Sequence, residues 1–354
     1  MVIIAVFVLE ACAVKPLVPY STDFDPIAEM PSAGGKVQDG RGRFREIFCT
    51  VLEEHGRDLP DYMPCEEALM VVGVEPPPTG RPVYLGQARA GYLVGLVPGF
   101  GWECIKGWLD HDNSGPEHIS QYGFESAILD VDGLSGTTNN AGQINKFLAS
   151  LPLEDEDRSL ILMGYSKGAP DLLEFVVSYP ETAKRVVAVV AIAGAVSGSP
   201  LAIEGTQDQA KLLTKVPKSE CDPGDGGGVA ALRPDVRKQW LATHTLPDHI
   251  NYYSVVTYPD PETRMSAGLK SSYRKLAEIA DARNDSQVVF YDQVIPGSTL
   301  LAFPNADHWA MAVPVARQHD FMSATFVSRN NYPREAFFEA VIRYIEEDLS
   351  ADPP

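Results

Sequence analysis

A serine flanked by two glycines is the group in this sequence whose residue types and spacing best suit chemistry. An apolar strand-like run enters Gly-x-Ser-x-Gly at residues 164–168, and a helix-like stretch follows. A serine in such a strand-to-helix turn is held in a strained conformation, and its glycines lack the Cβ atoms that would collide with the strand and helix. The helix directs N–H groups and its positive dipole end at developing negative charge. We therefore predict that Ser166 is a nucleophile.

A serine nucleophile requires a general base, and His308 is the strongest candidate. With a Gly-x-Ser-x-Gly turn, the acid and the histidine follow the serine in chain order. His308 lies in a loop directly after the apolar run Thr299 to Phe303. His319 lies further along the same region and His249 precedes a strand, so both are weaker candidates. The histidines before the serine are predicted to be surface or packing residues: His55, His111 and His118.

Three aspartates could orient that base. Asp285 and Asp292 each lie in a turn-like stretch before the run that leads to His308, and Asp260 follows the predicted strand Ile250 to Thr257. An acid on one loop and a base on the next need room for a full strand between them. Asp285 leaves that room more comfortably, so it is the first choice, with Asp292 and Asp260 as alternatives.

The tetrahedral intermediate of acyl transfer also requires hydrogen-bond donors for its oxyanion. The Gly-rich turn Val97 to Trp102 follows a predicted strand. It can place a backbone N–H, that of Phe100, opposite the N–H of Lys167, the residue after the nucleophile. Phe100 and Lys167 are therefore the predicted oxyanion donors.

These residues must be positioned by a sheet, and the chain from Tyr92 onward alternates strand-like and helix-like stretches. Such alternation predicts βαβ units and a doubly wound, mostly parallel sheet with helices on both faces. The predicted strands are Tyr92 to Val97, Ser126 to Val131, Leu160 to Met163, Val186 to Ala193, Ile250 to Thr257, Val288 to Tyr291 and Thr299 to Phe303. The predicted helices beside them include Ala141 to Leu151, Pro170 to Tyr179, Ala267 to Arg283 and Arg334 to Leu349.

The remaining segments divide the chain around that sheet. Residues 84–350 are predicted to form the catalytic domain. The segment of about 197–249 interrupts the alternation of strands and helices, and we predict that it is an insertion over the strand ends, where a lid would lie. Residues 13–83 are predicted to be an N-terminal extension, extended up to residue 40 and then forming short helices near 43–55 and 66–72.

Taken together, these motifs and their order resemble those of the α/β-hydrolase superfamily, specifically its bacterial lipase and esterase branch. Pro98 to Gly101 is similar to its oxyanion loop, Gly164 to Gly168 to its nucleophile elbow, and Ala193 to Ala202 to the stretch leading into the lid. The resemblance implies an eight-stranded, mostly parallel sheet and acyl transfer to water without a cofactor. Lys167 departs from the family pattern and is expected to place a cation at the mouth of the site. Strands before Tyr84 are hard to find, so the sheet could lack its first members.

The first twelve residues suggest export. Val2 to Leu9 is a short apolar run like the core of a secretory signal, and Leu9 to Cys12 resembles the bacterial lipobox, from which Glu10 departs. Cys12 is thus a predicted lipidation site in a cell-envelope lipoprotein. The alternative is a buried N-terminal strand in a cytoplasmic protein. Without Cys12 four of the five cysteines remain, and we favour pairing Cys49 with Cys65 and Cys104 with Cys221.

Composition excludes several other classes of protein. The 48 acidic against 29 basic residues give a net charge of −19, which repels a phosphate backbone, so nucleic acid is not the expected partner. No metal is predicted: residues 110–112 and 154–157 read as solvated loops. The expected function is hydrolysis of small-molecule or lipid carboxylic esters, with a membrane contact only through Cys12. The alternatives are a thioesterase, a peptidase or amidase, and a non-catalytic surface lipoprotein.

Overall fold

The computed structural model describes residues 37–106, 114–151, 158–215, 221–318 and 320–350. The proposed lipobox with Cys12, the acidic run at 154–157, His111 and His319 lie outside the described residues. In the described part, seven parallel strands form one sheet in the order β1-β7-β6-β5-β4-β2-β3. The strands are β1 Gln38–Asp39, β2 Leu93–Val97, β3 Glu125–Ile128, β4 Leu160–Tyr165, β5 Val186–Ile192, β6 Asn251–Val255 and β7 Thr299–Ala302.

Helices connect the strands and cover both faces of this sheet. Those before β4 are α1 Arg41–Glu54, α2 Cys65–Ala68, α3 Trp102–Ile105, α4 Ser114–Ser120 and α5 Thr137–Ala149. Those between β4 and β6 are α6 Gly168–Ser178, α7 Pro180–Ala183, α8 Leu201–Glu204, α9 Gln207–Ala210 and α10 Pro234–Thr243. The last are α11 Lys270–Ile279, α12 Val315–Gln318, α13 Asp320–Ala324 and α14 Arg334–Ser350. No helix of the described residues is long and apolar enough to cross a membrane.

Alternate side chains of the central strands enter two separate cores, as the period of two requires. On β4, Leu160 and Leu162 pack with α5 and α6, whereas Ile161 and Met163 pack with α1, α4 and α14. All four side chains are buried because the sheet lies between two layers of helices. The apolar run that predicted a strand buried on both faces therefore has its physical explanation here.

The N-terminal segment contributes to the core. On α1, Phe44 and Phe48 lie 5.3 and 5.4 Å, centroid to centroid, from Phe337 of α14. Strand β1 adds a parallel edge to β7, and the sequence did not predict it because two residues carry no alternation. A disulfide joins Cys49 on α1 to Cys65 on α2, the pairing that was favoured.

The described residues form seven strands, where the resemblance implied eight and the sequence suggested that first members could be absent. One predicted strand is wrong. The run Val288 to Tyr291 is no strand: residues Phe290–Gln293 form a 3₁₀ helix, and Val289 makes only an isolated bridge to Asn284. This run is apolar because Val289 and Phe290 are buried against the sheet, and periodicity cannot separate such a segment from a short strand.

Candidate active site

The turn after β4 holds Ser166 in a left-handed backbone conformation, with φ of 54°. A Cβ on Gly164 would lie 2.5 Å from the backbone nitrogen of Ala169, and one on Gly168 would lie 2.2 Å from the carbonyl oxygen of Val97. Neither position therefore tolerates a side chain. These two close approaches are the reason for the Gly-x-Ser-x-Gly spacing, and they lift the serine above the carboxyl edge of the sheet.

A chain of hydrogen bonds connects the three side chains that were the first choices from the sequence. Ser166 Oγ lies 2.9 Å from His308 Nε2, and His308 Nδ1 lies 2.7 Å from Asp285 Oδ2. Their side chains come from the loops after β4 and β7 and from the turn before the 3₁₀ helix 290–293. The geometry suits proton transfer from the serine to the imidazole, with the carboxylate accepting from the Nδ1 proton.

Asp285 is fully buried and its two carboxylate oxygens are well provided with donors. Oδ1 accepts from the backbone N–H groups of Gln287 and Val288, at 2.9 and 2.8 Å. Oδ2 accepts from the hydroxyl of Thr257, at 2.6 Å, in addition to His308. These donors hold the carboxylate in one orientation, and the backbone N–H of His308 also donates to the Asp285 carbonyl at 2.9 Å.

The other acids are engaged elsewhere. Asp260 Oδ1 accepts from the N–H groups of Glu262 and Thr263 in its own turn. Asp292 is buried with Lys238 Nζ at 3.5 Å, and burial, opposed by that lysine, raises the pKa of Asp292 to about 7. Among the described residues, neither Asp292 nor Asp260 hydrogen-bonds the His308 ring, whose Nδ1 contacts Asp285.

The remaining described histidines are also engaged away from Ser166. His249 Nε2 lies 3.1 Å from the carbonyl oxygen of Ala183. His55 and His118, predicted as surface or packing residues, both contact the carboxylate of Glu339. Within the described part of the chain, His308 is therefore the imidazole that contacts the serine hydroxyl.

The predicted oxyanion turn lies against the nucleophile. A Cβ on Gly99 would come within 2.9 Å of Ser166 Cβ, so only glycine permits this approach. The N–H groups of Gly101 and Trp102 donate to the carbonyls of Gly133 and Gly99. In contrast, the N–H groups of Phe100, in this turn, and of Lys167, directly after Ser166, have no acceptor among the described residues.

The side chain of Lys167 does not lie at the mouth of the site, which corrects that expectation. It is buried, and its Nζ donates to both carboxylate oxygens of Asp171 one helical turn later, at 2.9 and 2.8 Å. Asn140 of α5 donates to the same carboxylate at 2.7 Å. Burial raises the pKa of Asp171, and Lys167 opposes that shift. The cation therefore neutralises a carboxylate behind the nucleophile turn.

An apolar cavity of about 200 Å³ lies beside Tyr165 at the strand ends. The Tyr165 hydroxyl donates to the carbonyl of His308 at 2.7 Å, and the two rings lie 5.1 Å apart. Apolar side chains from strands, helices and the loop after His308 form most of the wall; Trp102, Ile128, Met163, Met311, Val313 and Phe338 are among them. The cavity can hold an apolar group; Tyr165, the residue before Ser166, lines it, whereas Ser166 and His308 do not.

The insertion packs on the oxyanion turn. Leu213 approaches Gly101, where an added Cβ would lie 3.0 Å from its side chain. Gly228 donates its N–H to the carbonyl of Leu134, and a disulfide joins Cys104 on α3 to Cys221, the second pairing that was favoured. The insertion is thus tied to the segment that follows Phe100.

Sequence reasoning did not identify Thr257 or Tyr165 as part of this site. Tyr165 is the last residue of β4, and Thr257 lies two residues beyond the end of β6. That position was the available signal, because side chains at the carboxyl edge of a parallel sheet face its binding crevice. Nothing in residue type distinguished them from other buried residues.

Comparison with solved structures identifies the fold. The crystal structure of the metagenomic carboxyl esterase MGS0156 matches with 39% identity over 89% of this chain and 94% of that one, at a TM-score of 0.81. The lipase BlEst2 of Bacillus licheniformis, in its propeptide form, matches with 19% identity over 69% of this chain and 52% of that one, at a TM-score of 0.52, a likeness of fold alone. No protein-family model and no curated protein matches.

These matches confirm the α/β-hydrolase resemblance. The chain belongs to the α/β-hydrolase superfamily, and within it to the family of carboxyl esterases that includes MGS0156.

Proposed function

We propose that this protein hydrolyses carboxylic esters by a serine, histidine and aspartate mechanism through an acyl-enzyme. The observation that carries the proposal is the hydrogen-bonded chain from Ser166 Oγ through His308 to Asp285 at the carboxyl edge of the sheet. Membership of a carboxyl esterase family supports ester hydrolysis as the reaction. The triad alone does not select the leaving group, so the family membership favours esters over thioesters and amides.

The mechanism follows from the positions of these atoms. Ser166 Oγ attacks the ester carbonyl while His308 Nε2 accepts the hydroxyl proton, and Asp285 holds the imidazolium in orientation. The two free N–H groups, of Phe100 and Lys167, donate to the tetrahedral oxyanion. His308 then gives the proton to the oxygen of the departing alcohol. The alcohol dissociates, and the acyl group remains bound to Ser166 as the acyl-enzyme. Water, deprotonated by the same histidine, attacks the acyl carbonyl and releases the acid.

The apolar cavity supports a substrate with an apolar group of limited size. Apolar cavities of about 150 Å³ accommodate benzene in other proteins, so a cavity of about 200 Å³ suits a ring or a short to medium chain. The segment of about 197–249 acts in this proposal as a lid, because it packs on the oxyanion turn. Residues 84–350 form the catalytic unit and 13–83 the extension.

The two disulfides support a location outside the cytoplasm, where such bonds persist. Export and acylation at Cys12 remain part of the proposal. Intact mass after extraction from membranes tests them: an acylated Cys12 as the first residue supports the anchor, and an unprocessed chain with reduced thiols supports the cytoplasmic alternative.

The catalytic proposal is tested by turnover of p-nitrophenyl butyrate. The variant Ser166→Ala is expected to lose activity by a factor of at least about 10³ while melting at the temperature of the wild type, since the hydroxyl supplies the nucleophile. A matched variant of a second buried serine, Ser254→Ala on β6, two strands away in the sheet, controls for loss of a buried hydroxyl. Undiminished turnover by Ser166→Ala would contradict the assignment.

A further inference from the structure

Two imidazoles and one carboxylate converge between three helices at a place distinct from the triad. His55 caps the C-terminal end of α1, His118 lies on α4 and Glu339 on α14. Their ligand atoms all lie within 4.8 Å of one another. Glu339 and His118 are buried and His55 is partly exposed, so solvent reaches the cluster from one side.

We propose that His55, His118 and Glu339 bind one zinc ion, with water as its fourth ligand. Two neutral imidazoles and a carboxylate are the donor set that zinc takes in many three-residue sites. The donor atoms are His55 Nδ1, His118 Nε2 and Glu339 Oε2, since Oε2 lies 3.1 and 2.6 Å from the two ring nitrogens. The proposal is independent of the hydrolytic function, because it shares no residue with the triad.

The surroundings of the carboxylate favour a fixed ligand. Arg343 Nε donates to Glu339 Oε1 at 2.6 Å, and Oε2 faces both histidines, while His55 Nδ1 also lies 3.0 Å from Oε1. The same guanidinium donates to the backbone carbonyls of residues 84–86, at 3.0 to 3.1 Å, so it is anchored independently of the carboxylate. Such an outer hydrogen bond orients a carboxylate ligand and is typical of zinc sites.

Tyr122 restrains the rings of both histidines. Its ring stacks on His55 at 4.6 Å between centroids and meets His118 edge-on at 5.4 Å. Aromatic contacts of this kind limit rotation of the imidazoles, so the loss of side-chain conformational entropy on binding the ion is small. The ligands come from three helices but approach the ion as one restrained group.

Without the ion, the same atoms form a hydrogen-bonded cluster in which each ring donates its proton to Glu339. On zinc binding, each ring presents a nitrogen without a proton to the ion and carries its proton on the other nitrogen. Zinc bonds of about 2.0–2.1 Å in tetrahedral geometry separate neighbouring donor atoms by roughly 3.3 Å. His55 Nδ1 and His118 Nε2 therefore move away from Oε2, from 3.1 and 2.6 Å to about 3.3 Å, and the two ring nitrogens, which lie within 4.8 Å of each other, take the same spacing.

The ion would join the N-terminal helix α1 to α4 and α14. Helix α4 also carries Gly115 and Pro116, which line the apolar cavity. A metal at His118 would thus fix one wall of that cavity and join α1, near the N-terminal end of the described chain, to the last helix α14.

The test is zinc content and thermal unfolding of the full chain with its disulfides intact. After removal of metals with EDTA and addition of Zn²⁺, the wild type is expected to retain about one equivalent through gel filtration and to melt at least about 3 °C higher, because zinc binds the folded state. Mg²⁺ at the same concentration is expected to give no shift. In the Co²⁺-loaded protein, an intense visible absorption is expected, as in tetrahedral sites.

Two variants separate this site from incidental binding. His55→Gln lies at a partly exposed helix end, keeps a polar side chain and is expected to lose the bound equivalent, the zinc shift and the cobalt spectrum. His244→Gln, on the exposed end of α10, is expected to keep all three. Absence of bound zinc in the wild type, or equal zinc shifts in wild type and His55→Gln, would overturn the proposal. Because Ser166 is untouched in both variants, failure here leaves the ester hydrolysis test unaffected.

Discussion

At the scale of single residues, the chemistry depends on a few positions with little tolerance. Gly164 and Gly168 could be predicted because a side chain at either one would enter backbone atoms, and the structure has both approaches below 3 Å. The choice of Asp285 over Asp292 rested on room along the chain. The donors to Asp285 could not be predicted from spacing along the chain. Thr257 contacts Asp285 only because two loops fold together, and its residue type does not indicate this contact.

Asparagine at the two candidate acids gives opposite expectations. Asp285→Asn is expected to lower kcat by about 10²–10⁴, because the amide cannot stabilise the imidazolium and favours the wrong ring tautomer. Asp292→Asn removes an equally buried carboxylate that, among the described residues, pairs with Lys238 and does not hydrogen-bond His308, so the kcat of this variant is expected to stay within about threefold of the wild type. Initial rates on p-nitrophenyl butyrate decide between them. Loss of activity only in Asp292→Asn would refute the assignment of the acid.

Breaking the buried pair behind the nucleophile is expected to destabilise the fold. Lys167→Met leaves Asp171 buried without its cation, which typically costs about 3–5 kcal/mol in the free energy of unfolding at pH 7. The double variant Lys167→Met with Asp171→Leu removes both charges and is expected to recover most of that loss. Urea unfolding measures all three proteins. Equal stability of the single variant and the wild type would show that the pair contributes nothing.

At the scale of elements, the long, regular segments were predictable and the short or irregular ones were not. The strands from β2 to β7 lie within one to three residues of their predicted ends, because apolar runs bounded by turns mark strands buried on both faces. Strand β1 has two residues and no pattern to read. The run at Val288 was misassigned because its burial comes from packing and not from pairing in the sheet.

The two disulfides are expected to differ in their effect on catalysis. Cys104 and Cys221 join the segment after the oxyanion turn to the insertion across 117 residues, whereas Cys49 and Cys65 close a loop of 16 residues far from Ser166 in the chain. Serine pairs at each bridge should lower stability, by about 5 and about 3 kcal/mol respectively in the loop-entropy estimate. Only the pair at 104 and 221 is expected to lower kcat/KM, by about tenfold. Equal kcat/KM in the two variants would contradict the idea that the disulfide at 104 and 221 holds the oxyanion turn in place through the insertion.

The contribution of buried Asp292, which contacts Lys238 on α10 of the insertion, to stability is expected to depend on pH. Burial raises the pKa of Asp292 from an unfolded value near 3.8 to about 7, so the folded state binds the proton more tightly. Its contribution to stability is fully present below about pH 4 and is lost as the pH rises toward 7. Asp292→Asn is therefore expected to gain stability relative to the wild type between pH 4 and pH 8. Unfolding free energies that differ by a constant amount across this range would contradict the shift.

At the scale of the whole molecule, one parallel sheet brings together loops that are distant in sequence. Ser166 and His308 follow β4 and β7, and they meet because the carboxyl ends of parallel strands share one edge. The sequence predicted this architecture from alternating strands and helices. It could not predict the packing of α1 on α14, since an amphipathic helix shows that it packs but not on what.

The central claim is that Ser166 is an activated nucleophile, and covalent labelling tests it most directly. A fluorophosphonate probe reacts with a serine whose proton is removed by an adjacent base. Intact mass and peptide mapping of the wild type are expected to show one adduct per chain, at Ser166, and no adduct on Ser166→Ala or on His308→Ala. An unlabelled wild type, or an adduct on another residue that persists in Ser166→Ala, would contradict the account.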